Sequence, residues 1–260
     1  MAYRDLVGIP DASKANINSL AINSPDAASL ATHAASTSAH NLGATWEEKY
    51  VARGLSRSGL TVGQAGVFFE DFTDIARWQQ TMGVASLTAL TTNAGGVGQI
   101  AAGIGDTVDY YPGDAAFGSS TVVAGRQCWY MAARMKVLAV PGAFEAADVS
   151  LRNPISTDQI SMGCDLNVDI TFWSFFGQGD GGGGSDALVS TVALDINWHD
   201  LESWSDGTRY YFAVDGEAPL SIVPTAIFNN QLIPSLWVIG DAAGITPQYD
   251  KALWIFPQAA

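Results

Sequence analysis

The chain has 260 residues, of which 48% are hydrophobic, 15% are charged and 27 are glycine. This composition supports a folded core and excludes a wholly disordered chain, and the sparse helical periodicity predicts an all-β protein. The net charge of −14 excludes a surface that attracts phosphate backbones, so we expect no nucleic-acid partner.

Residues 1–66 are predicted to form an N-terminal arm, distinct from a body at 67–260. The arm carries five basic and five acidic residues, so the body carries the whole net charge. Between Tyr3 and Trp46 there is no aromatic residue, and the few large apolar residues cannot close a core. We expect an extended, partner-binding arm with at most short helices, or a tail folded onto its own body. The predicted partner-binding residues are Tyr3, Arg4, Leu6, Val7, Ile9, Ile17, Leu20 and Ile22.

The chain shows no targeting or membrane-spanning pattern. No apolar run approaches the roughly 20 residues that span a bilayer. The N-terminus lacks the basic and apolar regions of a secretory signal. We therefore expect a protein made in a cytoplasm, with no membrane partner. Cys128 and Cys164 lie in apolar segments and are expected to be buried thiols, with a disulfide between them left open.

From about Gly66 the sequence alternates with the period of two that is typical of β-strands. Residues 127–140 place Trp129 on one face and Tyr130 on the other. Residues 161–176 are interpreted as one alternating strand. Strands with one buried and one wet face predict a two-sheet antiparallel jelly-roll sandwich. Further strands are predicted within 190–198, 209–216, 233–241 and 249–256.

A glycine-rich insert at 177–186 is predicted to be a loop or hairpin tip. It lacks the Lys-Ser/Thr ending of a phosphate-binding loop. Asp180 and Asp186 could ligate Ca²⁺ together with backbone carbonyls. Apart from this candidate we expect no cofactor and no metal site.

The segment NWHDLESWSDGTRYYFAVDGEAP (197–219) combines acids, aromatics and turn residues. Its Asp-Gly pairs at 206–207 and 215–216 predict two turns with a strand between them. His199 lies next to Asp200, but adjacent strand residues point to opposite faces, and no nucleophile motif accompanies them. The segment is therefore interpreted as structural, not catalytic.

The same segment resembles the strand–turn–strand signature of concanavalin A-like (laminin G-like) jelly rolls. The residues that carry the resemblance are Trp198, His199, Leu201, Asp206, Gly207, Tyr210, Phe212, Val214, Asp215 and Gly216. It covers roughly residues 67–256 and implies a fold that hosts lectins, hydrolases and structural modules. The Glu-x-Asp-x-Glu strand of the glucanase branch is absent, and the metal-binding set of legume lectins is not identifiable, so no catalytic residue carries over.

An acidic sandwich with a neutral arm and no enzyme motif also resembles the lectin-like modules of tailed-phage structural proteins. We therefore predict a non-enzymatic virion protein, a capsid decoration (cement) subunit on the capsid surface. It would bind the major capsid protein, or another virion protein, through its arm and form a homotrimer.

Two alternatives stay open. One is a glycan-binding, receptor-binding module of a phage tail fibre or cell-surface protein, with Trp173 and Trp204 as candidate sugar contacts. The other is a glycosidase, which requires a carboxylate pair that the sequence does not show.

Overall fold

The computed structural model describes residues 45–257 except 62–63, 92–95, 113–127, 141–144, 155, 166–167, 170, 180–183, 227, 229, 231 and 241–243. These residues form helix α1 (Trp46–Ser58) and 15 strands. The first eight are β1 (Ala65–Glu70), β2 (Trp78–Met82), β3 (Leu87–Thr91), β4 (Gly96–Ile100), β5 (Asp106–Pro112), β6 (Trp129–Val137), β7 (Ala146–Arg152) and β8 (Gln159–Asp165). The other seven are β9 (Phe172–Gln178), β10 (Ser185–Ala193), β11 (His199–Ser205), β12 (Tyr210–Val214), β13 (Leu220–Ile222), β14 (Ile233–Gly240) and β15 (Pro247–Pro257). No helix in this part of the chain is both long and apolar enough to cross a membrane.

The strands form two antiparallel sheets that stack as a sandwich. Sheet A has the order β13–β12–β11–β6–β15–β4–β3, and β1 also pairs with β15. Sheet B has the order β10–β9–β8–β7–β14–β5–β2. The predicted all-β, two-sheet antiparallel sandwich is confirmed.

The core lies between the two sheets and is built from alternate residues of each strand. Along β6, Trp129 and Met131 belong to this core. Tyr130 and Ala132 belong to a second apolar cluster on the opposite face. The alternation predicted for this strand is therefore confirmed, since one face packs against sheet B and the other faces away from it.

The single strand predicted over 161–176 is wrong, because the segment contains two strands. β8 ends at Asp165, and the backbone N–H of Asp169 donates to the carbonyl oxygen of Asp165 over 3.0 Å. The Asp169 carboxylate then accepts a hydrogen bond from the N–H of Thr171. The acids that suggested one wet strand face therefore close a turn, and β8 and β9 pair as a hairpin.

The two Asp-Gly pairs form turns of different kinds. Asp215 and Gly216 have φ values of 52° and 78°, and the N–H of Glu217 donates to the carbonyl oxygen of Val214. These are the two positive-φ residues of the tight turn that the sequence predicts. Between β11 and β12 the carboxylate of Asp206 closes a four-residue loop, 206–209, by accepting hydrogen bonds from two later backbone N–H groups.

Helix α1 lies inside the segment that the sequence predicts to be an arm. Thr45 and Glu48 form a capping box: the N–H of Glu48 donates to Thr45 Oγ1 over 3.1 Å, and the N–H of Thr45 donates to Glu48 Oε2 over 2.9 Å. Gly59 ends the helix with a φ of 71°. The helix has 13 residues, so the structured body extends upstream of residue 67.

Helix α1 packs on the outer face of sheet A, the face that points away from sheet B. The carboxylate of Glu202 on β11 accepts hydrogen bonds from Arg53, from Arg57 at 2.5 Å and from Tyr130 at 2.7 Å. Gly54 allows this close approach, because an added Cβ would lie 2.5 Å from the Tyr130 ring. This part of the predicted arm therefore binds its own body.

Candidate functional site

The outer face of sheet B, which points away from sheet A, is lined by polar side chains. On β7, Val149 and Leu151 belong to the core, so Asp148, Ser150 and Arg152 face outward. Asp148 and Ser150 are nevertheless 0% and 1% exposed. Buried polar groups require partners, and groups without them indicate a functional site or a bound ligand.

Four residues lie side by side across this face, and we call them the carboxylate row. Asp148 pairs in register with Gly163 on β8 and with Trp237 on β14, and Trp237 pairs with Asp109 on β5. Directly paired residues share a face of the sheet. Asp148 and Asp109 therefore flank the indole of Trp237, with about 10 Å between their Cα atoms because two strand spacings separate them.

Of the two carboxyl groups in the row, that of Asp148 has fewer hydrogen-bond partners among the described residues. Neither of its oxygens accepts a hydrogen bond from a described residue. Burial raises its pKa well above the ordinary value, and the neighbouring charge of Asp165 raises it further, while Arg152 opposes both effects. The environment of Asp148 thus favours the neutral form of its carboxyl group.

Asp109 lies in a more polar environment on the other side of Trp237. Its Oδ2 accepts a hydrogen bond of 2.7 Å from the hydroxyl of Tyr111, and Arg152 Nε approaches the same oxygen at 3.6 Å. Burial raises the pKa of Asp109 to about 6, although Arg152, Tyr111 and Ser235 stabilise the charged form. The row thus holds two carboxyl groups in different environments, both with raised pKa values, and acid–base catalysis uses pairs of this kind.

Gly163 leaves room for the Asp148 side chain. A Cβ at this position would lie 2.1 Å from the carbonyl oxygen of Ala147 and 2.6 Å from Asp148 Oδ1. Because the first neighbour is backbone, it cannot move aside as a flexible side chain would. Glycine at 163 is therefore a steric requirement of the row.

A pocket of about 380 Å³ opens beside the carboxylate row. It reaches the row at Trp237. Arg152 lies over the Trp237 ring, 4.4 Å from its centroid. The described residues that line the pocket are Arg152, Thr157, Gln159, Phe176, Gln178 and Trp237. Polar groups around two aromatic rings provide the hydrogen bonds and apolar contact that small-molecule sites use.

His199, which the sequence led us to reject as a catalytic base, holds two loops together. Its Nδ1 lies 2.6 Å from Asp215 Oδ2, and its Nε2 lies 2.9 Å from Asp195 Oδ1. Burial lowers the pKa of His199, but the two carboxylates outweigh this effect and raise it. No described side chain around it supplies a nucleophile, so its contacts are structural.

The two tryptophans predicted to contact a glycan are both in the interior, which corrects that assignment. Trp173 is 0% exposed and belongs to the core between the sheets. Trp204 is 5% exposed, stacks on Tyr211 with 5.0 Å between ring centroids, and has Arg57 over its ring. Neither ring offers the free face on which a sugar would stack, whereas Trp237 and Phe176 line a pocket.

The remaining predicted residues fall into three groups. The arm residues, Tyr3, Arg4, Leu6, Val7, Ile9, Ile17, Leu20 and Ile22, lie outside the described part of the chain. The signature residues Leu201, Tyr210 and Phe212 are in the core, and Trp198 lies under Lys136. Asp206, Gly207, Asp215 and Gly216 form the turns described above.

The calcium candidate is not assembled by the described residues. Asp180 lies outside them. Both oxygens of Asp186 accept hydrogen bonds from the loop at 225–226, which leaves them occupied. Across the described ranges, no group of three or more His, Cys, Asp or Glu side chains could hold a metal ion.

Comparison with known proteins identifies the fold. No protein-family model matches the chain, and no curated protein matches it. A Crh5 transglycosylase in complex with NAG has a TM-score of 0.50 and 12% identity, covering 75% of this chain and 84% of its own. A native glycosidic hydrolase has a TM-score of 0.51 and 13% identity, covering 72% and 94%. A protein of unknown function from Shewanella oneidensis MR-1 has a TM-score of 0.51 and 15% identity, covering 83% and 95%.

The fold is therefore a concanavalin A-like jelly-roll sandwich, as the sequence resemblance implied. Two functional predictions are wrong in the light of these comparisons. Two of these solved structures are a transglycosylase and a glycosidic hydrolase, which contradicts the prediction of a virion decoration protein or receptor-binding module. The same structures contradict the prediction of a chain without enzymatic activity. That prediction depended on the absence of a Glu-x-Asp-x-Glu strand. The absence of this pattern does not exclude an active site whose carboxylates come from several strands.

Proposed function

We propose that this protein is a glycoside hydrolase whose active site is the carboxylate row of sheet B. The observation that carries the proposal is the pair of aspartates in register across Trp237. Asp148 is fully buried with neither oxygen hydrogen-bonded to a described residue, and the pKa of Asp109 is about 6. Two carboxyl groups with separate protonation states are the requirement for cleaving a glycosidic bond.

Each aspartate has one role in the proposed reaction. Asp148, which keeps its proton, donates it to the oxygen of the leaving sugar as the glycosidic C–O bond breaks. Asp109, which is ionised above pH 6, takes a proton from the water whose oxygen attacks the anomeric carbon. The two Cα atoms lie about 10 Å apart, and the indole of Trp237 lies between the two side chains.

The pocket beside the row supplies the binding contacts of the proposal. The indole Nε1 of Trp237 is buried and has no hydrogen-bond partner among the described residues. The amides of Gln159 and Gln178 face each other in register on β8 and β9. Side-chain amides both donate and accept, which matches the vicinal hydroxyls of a sugar ring.

The test is hydrolysis of a panel of neutral and acidic polysaccharides by the full-length protein, followed by release of reducing ends. We expect activity in the wild type and a loss of about 100-fold or more in Asp148→Asn and in Asp109→Asn. Asp195→Asn, a change outside the carboxylate row, should keep the activity. Absence of hydrolysis on every substrate, or full activity in both row variants, would overturn the proposal.

A further inference from the structure

The pocket beside the carboxylate row has a distinctive charge. Its described lining combines amide, hydroxyl and aromatic side chains with one charged residue, Arg152. Arg152 ends β7 and pairs in register with Gln159, which in turn pairs with Gln178. The guanidinium therefore lies at the head of a line of polar side chains that runs across three strands.

The guanidinium of Arg152 has hydrogen-bonding capacity that the described protein does not use. Its Nε and Nη1 are buried and have no hydrogen-bond partner. Asp109 Oδ2 is 3.6 Å from Nε, which is an ion pair but beyond hydrogen-bonding distance. The cation also lies 4.4 Å from the centroid of the Trp237 ring, so packing holds its orientation. An oriented guanidinium that lines a pocket is complementary to a planar oxyanion.

We propose that this pocket binds the carboxylate of a uronic acid, so that the substrate is an acidic polysaccharide. This inference rests on the proposed function, because it names the substrate class of the same site. Arg152 pairs with the sugar carboxylate, while Gln159 and Gln178 bind the hydroxyls of the same ring. Phe176 supplies an apolar surface for the C–H groups of the sugar.

The acidic body does not oppose this recognition at contact range. Charges farther than the Debye length, about 8 Å at physiological ionic strength, are largely screened. The described lining residues include no acid, and outside the lining Asp109 Oδ2 lies 3.6 Å from Arg152 Nε. Arg152 is therefore the residue that separates acidic from neutral sugars, while the amides and Phe176 contact both.

The experiment compares two trisaccharides of identical linkage, one of galacturonic acid and one of galactose, by calorimetric titration. The full chain carries Asp148→Asn to prevent turnover. We expect the galacturonate trisaccharide to bind about tenfold more tightly than its neutral counterpart. Arg152→Gln should abolish this preference. Arg152→Lys keeps the positive charge but loses the planar bidentate geometry of the guanidinium, so it should retain part of the preference for the galacturonate trisaccharide.

Gln178→Ala is the matched control, because it should weaken both trisaccharides equally. Equal affinity for the two sugars, or a preference that survives Arg152→Gln in a variant with wild-type circular dichroism, would overturn the inference. Tighter binding of a sulfated galactose trisaccharide than of the galacturonate would overturn the carboxylate assignment. Binding that follows Arg152 in a protein without hydrolytic activity would refute the proposed function but not this inference. Hydrolysis of neutral polymers with no dependence on Arg152 would refute this inference alone.

Discussion

Replacing Asp109 by Asn should remove a pH-dependent loss of stability that the active site imposes on the fold. In the folded protein burial raises the pKa of Asp109 from 3.8 to about 6. In the unfolded chain the carboxyl group is solvated and titrates near its ordinary value. As the pH rises from about 4, the unfolded state therefore releases this proton before the folded state does, and the wild type loses stability until the pH passes about 6.

The magnitude follows from the size of the pKa difference. One pKa unit corresponds to about 1.4 kcal/mol, so the rise to about 6 corresponds to about 3 kcal/mol. No large discount for solvent screening applies, because Asp109 is 3% exposed. Asn cannot ionise, so Asp109→Asn should gain about 3 kcal/mol relative to the wild type between pH 4 and pH 7, whatever its constant offset. The same variant should lose its hydrolytic activity.

The assay is urea denaturation of both proteins at several pH values between 4 and 7, with the difference in unfolding free energy plotted against pH. Asp206→Asn is the control, because hydrogen bonds lower the pKa of Asp206 to about 2 despite some burial. Its pH-dependent contribution is gained between about pH 2 and 4, so its difference curve should be flat above pH 4. A flat curve for Asp109→Asn over the same range would refute the raised pKa of Asp109.

Three further predictions concern the stability of the fold: the ion pairs of Glu202, the steric limit at Gly163 and the charge of His199. Arg53→Met with Arg57→Met should destabilise the protein by on the order of 3 kcal/mol, because it leaves the buried carboxylate of Glu202 without its cations. Glu202→Gln should cost less, about 1–2 kcal/mol, since the arginines can be rehydrated; both are measured by urea denaturation. Gly163→Ala should destabilise by about 1–3 kcal/mol and abolish hydrolysis, measured by thermal unfolding and reducing-end release. His199→Gln should lower stability most below pH 6.5 and progressively less as the pH rises through the raised pKa of His199, measured by denaturation from pH 5 to 9.

Each of these predictions has a control within the chain. Gly177→Ala on the neighbouring strand should be tolerated, because an added Cβ there meets nothing closer than 3.6 Å. Equal costs for the double arginine variant and Glu202→Gln would contradict the view that Glu202 is the poorly solvated partner. Stability of His199→Gln that tracks the wild type at every pH would contradict a charged imidazole between Asp195 and Asp215.

The sandwich could be predicted from the sequence because the pattern of strand residues is local. Alternation along β6 is visible in consecutive residues, and the turn at Asp215 and Gly216 needs only a dipeptide. The segment 161–176 misled the same reasoning, since acids that alternate with apolar residues look alike in a strand and in a turn. Asp169, which caps Thr171 two residues later, was the available signal of a break.

Helix α1 was also readable from the sequence. Thr45 and Glu48 have the spacing of a capping box, and Gly59 follows the last turn. The low apolar content of the preceding residues led to the prediction of an arm despite that signal. The helix buries its apolar face only against sheet A, a contact that the local sequence does not show. The residues against which it packs include Tyr130 and Ile255, which are distant in the sequence.

The carboxylate row could not be predicted, because its members come from four strands. Asp109, Asp148, Gly163 and Trp237 become neighbours only through the register of sheet B. On β7 the outward-facing residues are Asp148, Ser150 and Arg152. This strand therefore carries a single acid and does not match the Glu-x-Asp-x-Glu pattern. Alternating polar residues along β7 are typical of a solvent-facing sheet surface. Only the pairing across strands brings Asp148 close to Trp237 and Asp109.

Both sheets bury a carboxylate on their outer face, and the comparison of the two explains why the function is assigned to sheet B. On sheet A, Glu202 accepts hydrogen bonds from two arginines and a tyrosine, so its charge is matched within the fold. On sheet B, Asp148 accepts none from the described residues, and burial raises its pKa. A satisfied carboxylate stabilises the docking of a helix, whereas an unsatisfied one lowers stability and is retained only where another role favours it. Proton donation to a bound sugar is the role that the neighbouring pocket supports.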